Sequence, residues 1–252
     1  MSLQFHNQLT KKLDTFTPLS EGKVLMYTCG PTVYDTLHVG NWTAYIYWDT
    51  LVRLLRAHHL DVTRVMNITD VGHLVSDGDD GEDKLEKGAR REGKTAWDVA
   101  ELYTNDFLEG MKRLNLLTPE HIAKATDYIV EQLQLVRTLK GKGFTYQTSD
   151  GVYFDTSKFP RYDDFADLHL EAQKAGARVA ANPEKHAPSD FALWKFTPEG
   201  QTRDMQWPTP ADLIEEGVER PGFPGWHLEC SAMAMKLLGN TIDIHTGGID
   251  HI

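Results

Sequence analysis

KVLMYTCGPTVYDTLHVGN, residues 23–41, is the stretch on which the fold turns. Lys23 to Thr28 is a short apolar run stopped by Cys-Gly-Pro, the pattern of a buried strand running into a loop. From Asn41 to Arg56 the residues Tyr45, Trp48, Leu51, Val52 and Leu55 recur at helical spacing, and a β-branched run from Val62 to Ile68 comes next. Strand, helix and strand of these lengths predict a βαβ unit with a parallel pair, and therefore an α/β domain. The loop from Thr28 to Asn41 then lies at the carboxyl end of a strand, where open α/β sheets bind their ligands.

Further along, Asp77 to Glu86 is dense in acidic residues and glycine. Thr95 to Leu114 and Pro119 to Lys140 carry long amphipathic patterns that predict two helices, possible arms of an α-hairpin. Phe144 to Phe154 reads as a β-hairpin, and prolines from Pro160 to Pro224 punctuate an irregular region. Residues 95–220 are accordingly expected to be an insertion. Trp226 to Leu238 as helix and Thr241 to His245 as strand return to the opening style. The 252 residues suffice for one large domain or two modest ones. No apolar run is long enough to span a bilayer, and Met1 to Thr10 has no secretory pattern, so a cytoplasmic protein without membrane contact is expected. With 26 basic against 37 acidic residues the formal charge is −11, so contact with nucleic acid needs a local patch or another region. Cys29 and Cys230 are too few for a disulfide framework, which leaves buried apolar residues or metal ligands.

Several motifs fail on context. Residues 88–95, GARREGKT, satisfy the phosphate-loop pattern, but a charged segment and not an apolar strand precedes them. The acidic run from Asp77 has Glu82 where a calcium loop needs glycine. His227-Leu-Glu229 resembles the start of a zinc deaminase motif, yet the cysteine pair that must accompany it is missing. There is no G-x-S-x-G elbow for a hydrolase nucleophile.

Three stretches survive. His38-Val-Gly-Asn41 opens the first helix, where His38 could donate to a phosphate oxygen and Gly40 would let a base lie against the backbone; a turn histidine with a helix-start glycine is the plain alternative. GFPGWHLECSAM, residues 222–233, puts Cys230 in the first turn of a helix, where a lowered thiol pKa is expected and a soft ligand for zinc is available. DIHTGGID, residues 243–250, is a strand entering a glycine pair with a carboxylate beyond it, suited to a nucleotide or simply to a solvated turn.

Taken together, TCGPTVYDTLHVGN, NITDVGH (residues 67–73), DGVYFDTSKF, GARV, DFALWK, GFPGWHLECSAM and DIHTGGIDHI resemble the cysteinyl-tRNA synthetases, collinearly from about residue 20 onward. That resemblance implies a Rossmann-like class I synthetase catalytic domain with a parallel sheet, interrupted by a mainly helical connective insertion. Residues 1–94 would be its first half, 95–220 the insertion and 221–252 the start of its second half. Cys29 and Cys230 would be two of four zinc ligands, the remaining histidine and glutamate lying beyond Ile252. Zinc would bind the substrate thiolate, a bond serine cannot match, so that no editing domain is required. Gly30, Thr69 and Trp226 would join Cys29 around the cysteine. His38 and Asn41 would be catalytic, and His38, Gly40, Asn41, Gly247, Gly248 and Asp250 would hold ATP with its Mg2+. The implied substrates are L-cysteine, ATP and tRNA(Cys), and a monomer is expected. The Lys-Met-Ser-Lys-Ser signature and an anticodon-binding region are not in these 252 residues, which by themselves are expected to bind zinc weakly and to aminoacylate negligibly. Other expectations are a cysteine ligase of mycothiol-type biosynthesis and a non-catalytic zinc- or nucleotide-binding fragment.

Overall fold

The computed structural model describes residues 3–7, 10–72, 83–160, 162, 182–215, 220–225 and 227–248. Lys23–Thr28 is a strand (β3), preceded by an N-terminal hairpin of β1 (Gln4–Asn7) and β2 (Lys12–Thr15) that the sequence did not announce. Helix α1 (Val39–Ala57) and strand β4 (Asp61–Ile68) follow as expected, and β4 runs parallel to β3 with Thr28 opposite Met66. Both faces of this pair are covered, which is why β3 reads as a short apolar run and β4 is rich in β-branched residues, with Arg64 and Asn67 buried among them. Val24, Met26 and Val62 face Val52 and Leu55 of α1, while Tyr27 and Val65 face the other way. Val52 and Leu55 are 1% and 0% exposed, and each such burial contributes about 1.5–3 kcal/mol.

Beyond β4, α2 (Lys84–Glu92) and α3 (Ala96–Arg113) cross over to β5 (His121–Lys124), a third parallel strand with Met66 opposite Ile122. This corrects the single helix expected over Pro119 to Lys140, and with it the α-hairpin. Only Ile129–Gly141 is an α-helix (α4), after a 3-10 turn at Ala125–Tyr128. Pairing with β4 overrides a helical spacing that Ile122, Ala125, Ile129, Leu133 and Val136 would otherwise sustain. Strand β5 thus belongs to the parallel sheet although it falls within 95–220.

The rest of that span, together with Pro221–Pro224 just beyond it, builds a five-stranded antiparallel sheet in the order β6-β7-β8-β10-β9, formed by Thr145–Thr148, Gly151–Phe154, Phe191–Phe196, Trp207–Pro208 (β9) and Pro221–Pro224 (β10). The expected hairpin is its β6-β7 arm, and Trp194, fully buried, sits in its core with Val152, Leu193 and Phe196. Arg203 and Asp204 fasten this region to the helices. Arg203 pairs with Asp83, the N-cap of α2, and lies 3.8 Å from the Phe223 ring centroid; Asp204 accepts from the Ala96 N–H at 2.7 Å.

Helix α5 (Leu228–Leu238) and strand β11 (Ile244–Thr246) then return to the parallel sheet. Strand β11 pairs in parallel with β3 on the side away from β4, giving the order β11-β3-β4-β5. Residues 88–92 of the phosphate-loop lookalike lie within α2, Gly93 ends that helix in the left-handed region, and Thr95 caps α3, so no strand presents a loop there.

Candidate active site

The strand order reverses between β3 and β11: the chain first builds outward through β4 and β5, then returns to the opposite flank of β3. At such a switch point the loops leaving adjacent strands diverge and open a crevice at the carboxyl ends. Cys29 follows β3, Thr69 follows β4 and Gly247 follows β11, so the topology brings three separately chosen stretches to one edge.

Cys29 is 7% exposed; its N–H donates to the Thr246 carbonyl at 3.0 Å, and its Sγ lies 3.4 Å from His245 Nε2. Cys230, in the first turn of α5, reaches the same place, with its thiol hydrogen-bonded to Cys29 and against the Tyr27 hydroxyl. The two cysteines, 201 positions apart in sequence, share one apolar cluster with Tyr27, Val65, Val71 and Met233. The expected lowering of the Cys230 thiol pKa is overturned. Its hydrogen bond with Cys29, its burial and the neighbouring Glu229 carboxylate push it well up, outweighing the helix terminus. Burial, with the two cysteines and Glu229 close by, pushes the Tyr27 hydroxyl up as well. His245, Tyr27 and Glu229 were not singled out as site residues from the sequence; His245 is signalled only by its place in the β11 stretch.

Two soft sulfurs in contact suit zinc, and the donor chemistry fits half of a four-ligand site. Among the described residues no third side-chain donor closes on both sulfurs. Among the described residues, the one trio with ligand atoms within 4.8 Å of one another is Asp155, His186 and Asp190, in the antiparallel-sheet region. Its carboxylates are largely taken. Asp190 Oδ1 accepts from Thr156 N at 2.9 Å and Oγ1 at 2.8 Å; its Oδ2 accepts from Tyr146 Oη at 2.8 Å and Ala187 N at 3.0 Å. Asp155 Oδ1 accepts from the Ser157 N–H and hydroxyl.

His38 is the N-cap of α1. Its Nδ1 accepts from the Gly40 N–H at 3.0 Å, and Asn41 Oδ1 accepts from the His38 N–H at 3.2 Å, a reciprocal capping pair. A Cβ on Gly40 would lie 2.9 Å from the His38 ring, so glycine lets the imidazole fold back onto the helix. With Nδ1 accepting, the neutral ring carries its proton on Nε2. His38, Gly40 and Asn41 are all exposed. Arg91 of α2 steadies the preceding loop, donating to Asp35 Oδ2 at 2.7 Å and to the Tyr34 carbonyl at 3.3 Å.

Gly30 follows Cys29 in the loop after β3, and Thr69 meets that loop from the end of β4. Thr69 donates its N–H to the Pro31 carbonyl at 2.9 Å and is 5% exposed. A Cβ on Gly30 would fall 1.6 Å from the Asn67 carbonyl oxygen, so the two strand ends pass too closely for any side chain there. Gly247 and Gly248 are exposed beyond β11. Trp226, Asp250 and His73 lie outside the described residues.

A parallel sheet with a thiol pair at its switch point and a histidine-capped helix beside it defines an α/β domain of the doubly wound, ligand-binding class. The model of the tRNA synthetases class I (C) catalytic domain matches residues 15–252, and the chain belongs to that family. It is similar to the cysteine–tRNA ligase of Treponema denticola, 46% identical over 252 residues, with 100% of this chain and 50% of the relative covered. Cysteine–tRNA ligase 1 of Burkholderia lata is 47% identical over 252 residues, covering 100% and 52%. The cysteine–tRNA ligase of Zymomonas mobilis is 46% identical over 247 residues, covering 98% and 46%. The chain therefore spans about half the length of the curated relatives it matches. Among the described residues no helix is long and apolar enough to cross a membrane.

Proposed function

We propose that the chain is the catalytic portion of a cysteine–tRNA ligase, activating L-cysteine with ATP and passing it to the 3′ end of tRNA(Cys). The observation that carries this reading is the meeting of Cys29 and Cys230 at the switch point, with the His38–Asn41 helix start on the same sheet edge. In the division proposed, residues 1–94 and 221–252 belong to the catalytic domain and 95–220 to the insertion, with β5 returned to the catalytic sheet and β10 (Pro221–Pro224) to the insertion's antiparallel sheet.

In the first step a cysteine carboxylate oxygen attacks the α-phosphorus of ATP, the bond to the β-phosphate oxygen breaks, and pyrophosphate leaves with that electron pair. Negative charge builds on the α-phosphate oxygens in the transition state. His38, with its proton on Nε2, donates to those oxygens, and the capping contacts hold the ring so that little reorganisation accompanies the reaction. Asn41 keeps the helix start in register. Gly40, Gly247, Gly248 and Asp250 border the nucleotide, which arrives with Mg2+. No covalent enzyme intermediate is needed: a tRNA ribose hydroxyl attacks the carbonyl of cysteinyl-adenylate and AMP leaves.

Cys29 and Cys230 would hold zinc, with other donors completing the set. The chemistry zinc supplies when bound is a thiophilic contact for the substrate sulfur that a hydroxyl cannot equal. Gly30, Thr69 and Trp226 shape the pocket around the rest of the amino acid. The reading is tested by cysteine-dependent exchange of pyrophosphate into ATP by the natural gene product, together with its zinc content. Exchange in the wild type, and loss of both exchange and bound zinc in Cys29→Ser and Cys230→Ser, are expected. Full exchange in both variants would refute the assignment.

A further inference from the structure

The Asn67 side chain bridges the turn after β3 and the Thr69 hydroxyl after β4. It is the penultimate residue of β4 and 1% exposed. Its Oδ1 accepts from the Gly30 N–H at 2.8 Å, and its Nδ2 donates to Thr69 Oγ1 at 2.8 Å. Chemistry fixes this orientation: a backbone N–H can only donate, so the amide oxygen must face Gly30 and the NH2 group is left for Thr69.

That arrangement dictates what Thr69 can do. Its oxygen accepts from Asn67, so its own hydrogen points elsewhere, and among the described residues no acceptor takes it. A buried hydroxyl hydrogen without a protein partner is costly unless a ligand supplies the acceptor. On a bound cysteine the thiol belongs with Cys29 and Cys230, and the ammonium offers only donors. The carboxylate remains.

We propose that Asn67 is a positioning residue of the amino-acid pocket: it ties the Cys29-Gly30 turn to Thr69 and holds the Thr69 hydroxyl as a donor toward the substrate carboxylate. This rests on the reading that cysteine binds beside Cys29 and Thr69. Asn67 touches neither substrate nor metal; it acts through Thr69 and through the Gly30 backbone.

The test is a double-mutant cycle in the natural gene product, read by pyrophosphate exchange. In Asn67→Asp the carboxylate still accepts from Gly30 but presents an acceptor to Thr69, whose hydrogen turns away from the substrate. The KM for cysteine rises about tenfold, the loss of one hydrogen bond to a charged group, while the KM for ATP is unchanged. Thr69→Val gives a similar rise, Thr69→Ser retains the wild-type value, and the double variant N67D/T69V is no worse than T69V alone. Amide exchange at Gly30 stays slow in N67D and becomes fast in Asn67→Ala. Multiplying effects in the double variant, or an equal rise in the KM for ATP, would overturn the proposal. Should N67D fail to fold, T69V with an unchanged KM for cysteine overturns it as well. A wild type without cysteine-dependent exchange brings down the functional reading itself, an outcome distinct from a wild type that is active but shows no coupling.

Discussion

His38 has two duties in this account, capping α1 and stabilising charge on the α-phosphate, and replacing it by asparagine separates them. In the structure its Nδ1 takes the Gly40 N–H at 3.0 Å on an exposed helix end. An acceptor in that position contributes about 1 kcal/mol, and asparagine is among the best residues to supply one. His38→Ala removes the acceptor and is expected to cost about 1 kcal/mol, or about 2–4 °C in melting temperature for a chain of this size. His38→Asn keeps the cap and stays within about 0.5 kcal/mol of the wild type. Both variants lose the Nε2 hydrogen, and the removal of one transition-state donor lowers the rate by about 10²–10³. Calorimetry and pyrophosphate exchange on the two variants measure the two duties independently. H38N exchanging within about threefold of wild type would show that the imidazole is only a cap. H38N melting as low as H38A would show that the cap is not what the geometry says.

Asp190 is expected to be structural. In Asp190→Asn one amide nitrogen must face a donor; Thr156 and Tyr146 hydroxyls can rotate, but the Thr156 or Ala187 N–H cannot. Differential calorimetry should show a loss of about 2–4 kcal/mol, and added Zn2+ or Mg2+ should restore none of it. Lys195 is 2.6 Å from Asp150 and 3.1 Å from the Tyr153 hydroxyl. The Lys195–Asp150 ion pair holds the Lys195 pKa above and the Asp150 pKa below their ordinary values, against the opposing effect of burial. The pair therefore stabilises the fold above the ordinary aspartate range, and that stability is lost as pH falls through the lowered Asp150 value or rises through the raised Lys195 value. Lys195→Met should destabilise by about 2 kcal/mol at neutral pH, the exposure of Asp150 reducing the cost, and the deficit should shrink below about pH 4; a deficit constant with pH would contradict this.

The fold was legible where both faces of an element are buried. Lys23–Thr28 announces itself as a short apolar run and Asp61–Ile68 as a β-branched one, because the strands are packed on two sides, and α1 announces itself by the helical spacing of its buried face. His121–Lys124 was hidden: four residues ahead of a helix continue its spacing, and only the free edge of β4 makes them a strand. The strands near Trp207 and Pro221 were masked by prolines: Pro208 sits on the edge strand β9, which tolerates it, and Pro221 and Pro224 are the first and last residues of β10, which pairs with both β8 and β9. At the site, Cys29 and Cys230 were legible as ends of elements in one sheet. Their contact, and the raised Cys230 thiol that follows from the Cys29 hydrogen bond, burial and Glu229, depend on side chains that no spacing relates. Asn67 was visible within Asn-Ile-Thr, but its two hydrogen bonds reach Gly30 and Thr69 only when β3 and β4 lie side by side.

The most direct test of the central claim is amino-acid-dependent pyrophosphate exchange by the natural gene product, compared between cysteine and serine. The thiol pair predicts exchange with cysteine and a kcat/KM for serine lower by about 10⁴ or more, the discrimination reached when a site is built around a polar contact that the competitor lacks. Comparable exchange with serine, or preference for another amino acid, would contradict it.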